Sequence, residues 1–115
     1  MSALTGRAVM SKQPRVMNRS LLDLAHDMPC YATFPHKCAA HLGCVPAHAN
    51  WLIFGKGMGK KVSDWAFASM CSPAHDIIDR RVPSDMDEAM LQQEWMRAFV
   101  ATHDWLWREK RIRVA

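Results

Sequence analysis

The sequence predicts a small α+β domain, with a short antiparallel hairpin packed on a helix and a longer helix near the C-terminus closing the core. Three observations predict it. Two short apolar runs, Val45–His48 and residues 64–70, are set off by glycine, proline and serine in the way strands are. Cys71, Ser72 and Pro73 follow the second run directly, and proline suits the first turn of a helix because the amide it lacks has no intrahelical partner there. Beyond Pro83, an acidic stretch leads into Leu91, Trp95, Phe99 and Leu106 at near-helical spacing, the apolar stripe of a helix that buries one face. With 115 residues, half of them apolar, the chain is long enough for one domain with a modest core.

Taken in order, residues 1–19 combine Ser, Gly, Gln, Pro and Asn with scattered arginines and have no periodic apolar face, which reads as a flexible basic arm ahead of a domain over 20–115. Ser20 is placed to cap a short helix through Leu21, Leu22, Leu24 and Ala25 that Pro29 ends. Tyr31, Thr33 and Phe34 alternate as a short strand would, and an irregular loop then runs to Cys44. After Val45–His48 comes the apolar run Trp51, Leu52, Ile53 and Phe54, closed by Gly55. Residues 55–61, with Lys56, Lys60 and Lys61, fail the test for a nucleotide-binding P-loop, because only three residues separate Gly55 from Gly59 and Lys61 stands where Ser or Thr should hold magnesium. They read instead as a flexible basic loop. The helix from Ser72 anchors on Ile77 and Ile78, and Ser84 with Asp85, Asp87 and Glu88 forms the cap and acidic first turn of the last helix. Residues 111–114 alternate basic and apolar as an edge strand does.

The formal net charge is +4, and it is uneven: Arg7, Lys12, Arg15 and Arg19 lie in the first twenty residues with no acid among them, and the remainder is formally neutral. A basic arm, a basic loop and a basic end suit a polyanion such as DNA, through salt-dependent phosphate contacts. Solubilising surface charge is the plainer reading of the same residues. No apolar run approaches the length of a membrane span, and no secretory signal is apparent, so a cytoplasmic location is expected. Cys30, Cys38, Cys44 and Cys71 are expected to be reduced, and no pair has the Cys-x2-Cys spacing of a tight zinc knuckle.

The residues with the most chemistry are His48, His75 and Asp79. His75 and Asp79 stand four apart, so on a helix they share one face and can converge on one cation. His48 follows a proline and precedes the basic loop, where an imidazole can act as a base. Against this stands the plainer reading, in which His75 is a half-buried helix histidine and Asp79 a partner of Arg80 or Arg81. A Ser-His-Asp triad is not assignable, since no serine sits in a nucleophile turn, and no cysteine is singled out as a nucleophile.

In order, Cys30, Cys38, Pro46-Ala47-His48, the glycine and lysine loop, Asp64 and then Cys71-Ser72, His75-Asp76, Ile78-Asp79-Arg80 resemble a small HNH-like endonuclease family, of ββα-metal fold, encoded mainly in phages and prophages. The resemblance implies a metal-dependent endonuclease of DNA. His48 is then the general base, and His75 and Asp79 hold one divalent cation, magnesium, manganese or zinc. Lys56, Lys60 and Lys61 are then placed to meet the DNA backbone. It further implies a structural zinc on Cys30, Cys38 and Cys71. The fourth cysteine position of the family pattern is Ala74 here, leaving His36, His41 or Cys44 to complete the site, or packing to replace it. The middle Asn of the HNH pattern is absent, Asp64 being the nearest polar residue. The alternative is a catalytically inactive DNA-binding protein, or an accessory phage recombination factor, on the same scaffold. Whether the chain forms a homodimer is left open.

Overall fold

Two strands of four residues organise the core. β1 (Val45–His48) pairs antiparallel with β2 (Phe67–Met70), Val45 opposite Met70 and His48 opposite Phe67. The structure, a computed structural model, describes residues 16–49, 51 and 62–111. So short a hairpin is marginal alone, and burial of all four β2 residues is what sustains it. The Ala49 amide donates to Ala66 O at 3.0 Å, one step past the ladder, and sets its alternation: 47/68 exchange hydrogen bonds, while 46/69 and 48/67 turn theirs outward. Pro46 therefore sits at a position where its missing amide removes no ladder bond.

The outward groups of Ser69 are all used. Its amide donates to Thr102 Oγ1 at 2.8 Å, its carbonyl accepts from the Tyr31 amide at 3.0 Å, and its hydroxyl donates to Pro29 O at 2.9 Å. Thr102 in turn donates to Ala98 O at 2.8 Å, so one buried hydroxyl joins the last helix to the sheet edge. Thr102→Val keeps the shape but leaves the Ser69 amide buried without an acceptor, a loss of about 1–3 kcal/mol of stability. Denaturant unfolding should show this loss for Thr102→Val and little for Thr102→Ser; an unchanged midpoint in Thr102→Val contradicts the account.

Helix α1 (Arg19–Asp23) continues into a 3-10 turn (Leu24–Asp27) and lays Leu21, Leu22 and Leu24 on a small cluster with Ala25, Met28, Phe67 and Leu106. Helix α2 (Ser72–Ile78) starts directly behind β2, with Cys71 as N-cap, Pro73 in the first turn, and Ala74 and Ile78 buried. The terminal helix α3 (Glu88–Arg108) buries Leu91, Trp95, Ala98, Thr102 and Leu106 along one face. Trp95, fully buried, donates from Nε1 to Ala47 O at 2.8 Å, stacks on Phe99 and meets Trp51 edge-on. Its ring is the centre of the larger cluster, which joins Ala47, Ala68 and Met70 of the hairpin to α2 and α3.

The α+β architecture of hairpin, helix and long terminal helix is as expected, and four local expectations are corrected. The cap of α1 is Asn18, not Ser20: Asn18 Oδ1 accepts from the Leu21 amide at 3.1 Å, and its own amide is held by the Asp64 carboxylate, which fixes where the turn begins. Tyr31 to Phe34 form no strand, because the chain bends to carry Cys30 toward Cys71 and keeps a single bond to the β2 edge. The second strand begins at Phe67, since Asp64 to Ala66 make a turn closed by the Ala66 amide on Ser63 O. The cap of α3 is Asp87, whose Oδ1 accepts from the Met90 amide at 2.9 Å, while the Ser84 hydroxyl accepts from the Met86 amide in a separate turn. The basic loop with Lys56, Lys60 and Lys61, residues 1–15 of the arm expected over 1–19, and residues 112–114 of the strand expected over 111–114 lie outside the described residues. Among the described residues no helix is long and apolar enough to cross a membrane.

Candidate metal centre and the His75–Asp79 pair

The bend after Met28 and the start of α2 bring together side chains far apart in sequence. Cys30, His36, Cys38 and Cys71 place one ligand atom each within 4.8 Å of one another. Of the three residues that could complete the trio of cysteines, the structure selects His36. Exposed His41 lies on the 3-10 turn Ala40–Leu42, and Cys44 is buried nearby, outside the converging set. Ala74, which the sequence resemblance sets at a fourth cysteine position, is fully buried in the main core cluster instead.

The geometry suits a tetrahedral zinc. Cys30 Sγ and His36 Nε2 are 3.7 Å apart, against about 3.6 Å for two such ligands at tetrahedral angles with usual zinc bond lengths. His36 Nδ1 lies 2.7 Å from Phe34 O, a contact in which Nδ1–H donates and Nε2 is the ring nitrogen presented to a metal. The Cys71 amide donates to Cys30 Sγ at 3.3 Å, a bond that favours the thiolate a metal needs.

The thiols are tuned unequally. Burial pushes Cys30 up to about 12, against the amides of Cys71 and Ala32, and burial also raises Cys44. Cys71 goes the other way: burial acts to raise it, but the amides of Ala39 and Ala74 and the thiols of Cys30 and Cys38 bring it below the ordinary thiol value. Cys71 is thus favoured as a thiolate and Cys30 as a thiol, whose proton a bound metal would displace. Gly43 closes the loop at φ +95, and a Cβ there would come within 2.5 Å of the His26 ring, so the turn that leads from Cys38 into β1 requires glycine.

His75 and Asp79 also meet. His75 stands one turn into α2 and Asp79 is its C-cap, with Nε2 and Oδ2 3.0 Å apart and both side chains mostly buried, 20% and 16% exposed. Asp79 Oδ2 also accepts from Arg81 at 2.9 Å, and the other arm of Arg81 donates to Asp76 Oδ1 at 2.8 Å. The plainer expectation of an Asp79–Arg81 pair and the expected His75–Asp79 convergence therefore coexist on one carboxylate.

His48 ends β1, half-buried, with its ring 6.4 Å from that of Phe67. Strand alternation sends it to the Phe67 and Ser69 face, and Ala47 and Ala68 to the other. Helix α2 contacts β1, and its buried Ala74 and Ile78 lie in the cluster with Ala47, Ala68 and Met70, on the face of the hairpin opposite to His48. Asp64 is 4% exposed, and its carboxylate accepts from the Asn18 amide while its own amide donates to Val16 O at 2.8 Å. The polar residue nearest the missing Asn thus holds residues 16–18 to the body.

No protein-family model matches the chain, and no curated protein does. Among solved structures, the fold is similar to that of a "putative bacteriophage protein" of Escherichia coli K-12, at a TM-score of 0.57 and 23% identity, over 76% of this chain and 96% of that one.

Proposed function

We propose that the protein is a metal-dependent endonuclease of DNA, of HNH-like ββα-metal type and of phage origin, with a zinc-stapled scaffold. The observation that carries this reading is the order of parts: a hairpin whose first strand ends in His48, followed without a linker by a helix on which His75 and Asp79 present a nitrogen and an oxygen 3.0 Å apart. At that separation both atoms could serve as ligands of one divalent cation, a mixed imidazole and carboxylate pair. His75 and Asp79 would hold the divalent ion, which would supply charge stabilisation of the scissile phosphate and the leaving oxygen. Neutral His48 takes the proton from the attacking water. Arg81 orients the Asp79 carboxylate beside His75. Phosphate contacts from Lys56, Lys60 and Lys61 position the backbone without reading sequence.

A second reading, a DNA-binding or accessory protein without cleavage, is favoured by the hold of Arg81 on Asp79 and by the Phe67 side on which His48 lies. Incubating the zinc-loaded protein with supercoiled plasmid separates the two. Nicking that appears with magnesium or manganese and stops with chelator supports the nuclease. Salt-sensitive binding with no nicking under any divalent ion establishes the second reading.

A further inference from the structure

Helix α3 carries a second apolar stripe, apart from the face it buries. Met96, Val100 and Trp107 are 40%, 61% and 51% exposed, and with Ala89, Gln93 and His103 they recur at alternating intervals of four and three, the heptad spacing of a helix that packs along another helix. A solvated helix face needs no such row, and an exposed Trp and Met in line are the residue types that anchor protein interfaces.

We propose that this stripe is the contact between two copies of the chain, paired antiparallel through α3 about a two-fold axis near Val100. Charge decides both the occupant and the direction. Arg97 and Asp104 flank the stripe on the same side, three residues before Val100 and four after it, and among the described residues Arg97 makes no ion pair. An antiparallel two-fold sets Arg97 of each copy against Asp104 of the other, so the pair forms twice. A parallel arrangement would set Arg97 against Gln92 and Phe99 and satisfy neither charge. Asp104 Oδ2 already holds Arg108 of its own helix at 2.9 Å, and a carboxylate can accept a second guanidinium on its other oxygen. The apolar members of the row supply the attraction, Val100 meeting its own copy with Met96 and Trp107 on either side, while His103 is held to the body by its bond to Trp65 O and its packing on Phe99.

The test is analytical ultracentrifugation of the full chain over a dilution series, with circular dichroism to confirm that each variant folds. A reversible dimer is expected. Arg97→Asp should weaken it about tenfold or more, because like charges then face each other twice, and Asp104→Arg should do the same. The double swap Arg97→Asp with Asp104→Arg should restore it, and Val100→Asp should abolish it. Three results overturn the proposal: a chain that stays monomeric at every concentration, which would give the stripe to DNA or to another protein; a dimer indifferent to Arg97→Asp and Val100→Asp; or a double swap no tighter than its single variants.

Discussion

Protein purified without chelator is expected to carry one zinc per chain, and stripping it should lower the melting temperature by roughly 10 °C or more, the equivalent of a few kcal/mol in a domain of this size. The reason is topological. Cys30, His36 and Cys38 sit on a segment with almost no regular structure, and Cys71 is the N-cap of α2, so a metal on all four ties a loop to the helix start. Without it, burial favours the protonated Cys30 thiol, and the segment keeps its bonds to Ser69, the Thr33 bond to Glu94, and the packing of Phe34 and Tyr31. Cys71→Ser and His36→Ala should lose the zinc, His36→Cys should retain it, and Cys44→Ser should leave the stoichiometry unchanged. Zinc-free protein whose melting is insensitive to chelator would remove the site from the account.

How much of this was legible in the sequence depends on the range of the interactions involved. The periodicity of α3 and the proline start of α2 were readable because a helix is decided by residues within a turn or two of each other. The caps were not: Asn18 begins α1 because Asp64, 46 residues away, holds its amide, and no local pattern announces such a partner. The Tyr31 region alternates as a strand does, yet the pull of Cys30 toward Cys71 overrides the pattern.

The metal centre divides in the same way. Its three cysteines were identified through the ordered resemblance, whereas the choice among His36, His41 and Cys44 rests on a turn of backbone. His36 follows Pro35, and its bond to Phe34 O swings Nε2 toward Cys30. A histidine two residues before Cys38 was the available signal, and spacing alone could not rank it above its neighbours. With His36 beside the three cysteines, a set of four possible ligands is complete without a cysteine at Ala74.

The second large effect concerns the His75–Asp79 pair. His75→Ala or Asp79→Ala should abolish binding of the divalent ion and DNA cleavage together, while the zinc and the melting temperature change little, because α2 is anchored by Ala74 and Ile78 rather than by this pair. Asp79→Ala also frees Arg81, which retains Asp76, so the helix end stays ordered. Isothermal titration with manganese, beside a plasmid assay, reads both properties in one preparation. A variant that loses the ion but cleaves at the normal rate would place the catalytic metal elsewhere.

The central claim, that this scaffold cuts DNA with His48 as the base, is tested most directly by single-turnover cleavage of end-labelled DNA by the wild type and by His48→Ala at saturating divalent ion. Removing the imidazole takes away the proton acceptor and leaves the ion and the DNA contacts in place. The account predicts a rate lower by about 10²–10⁴ with DNA affinity unchanged, whereas equal rates in the two proteins, or no cleavage by the wild type, would contradict it.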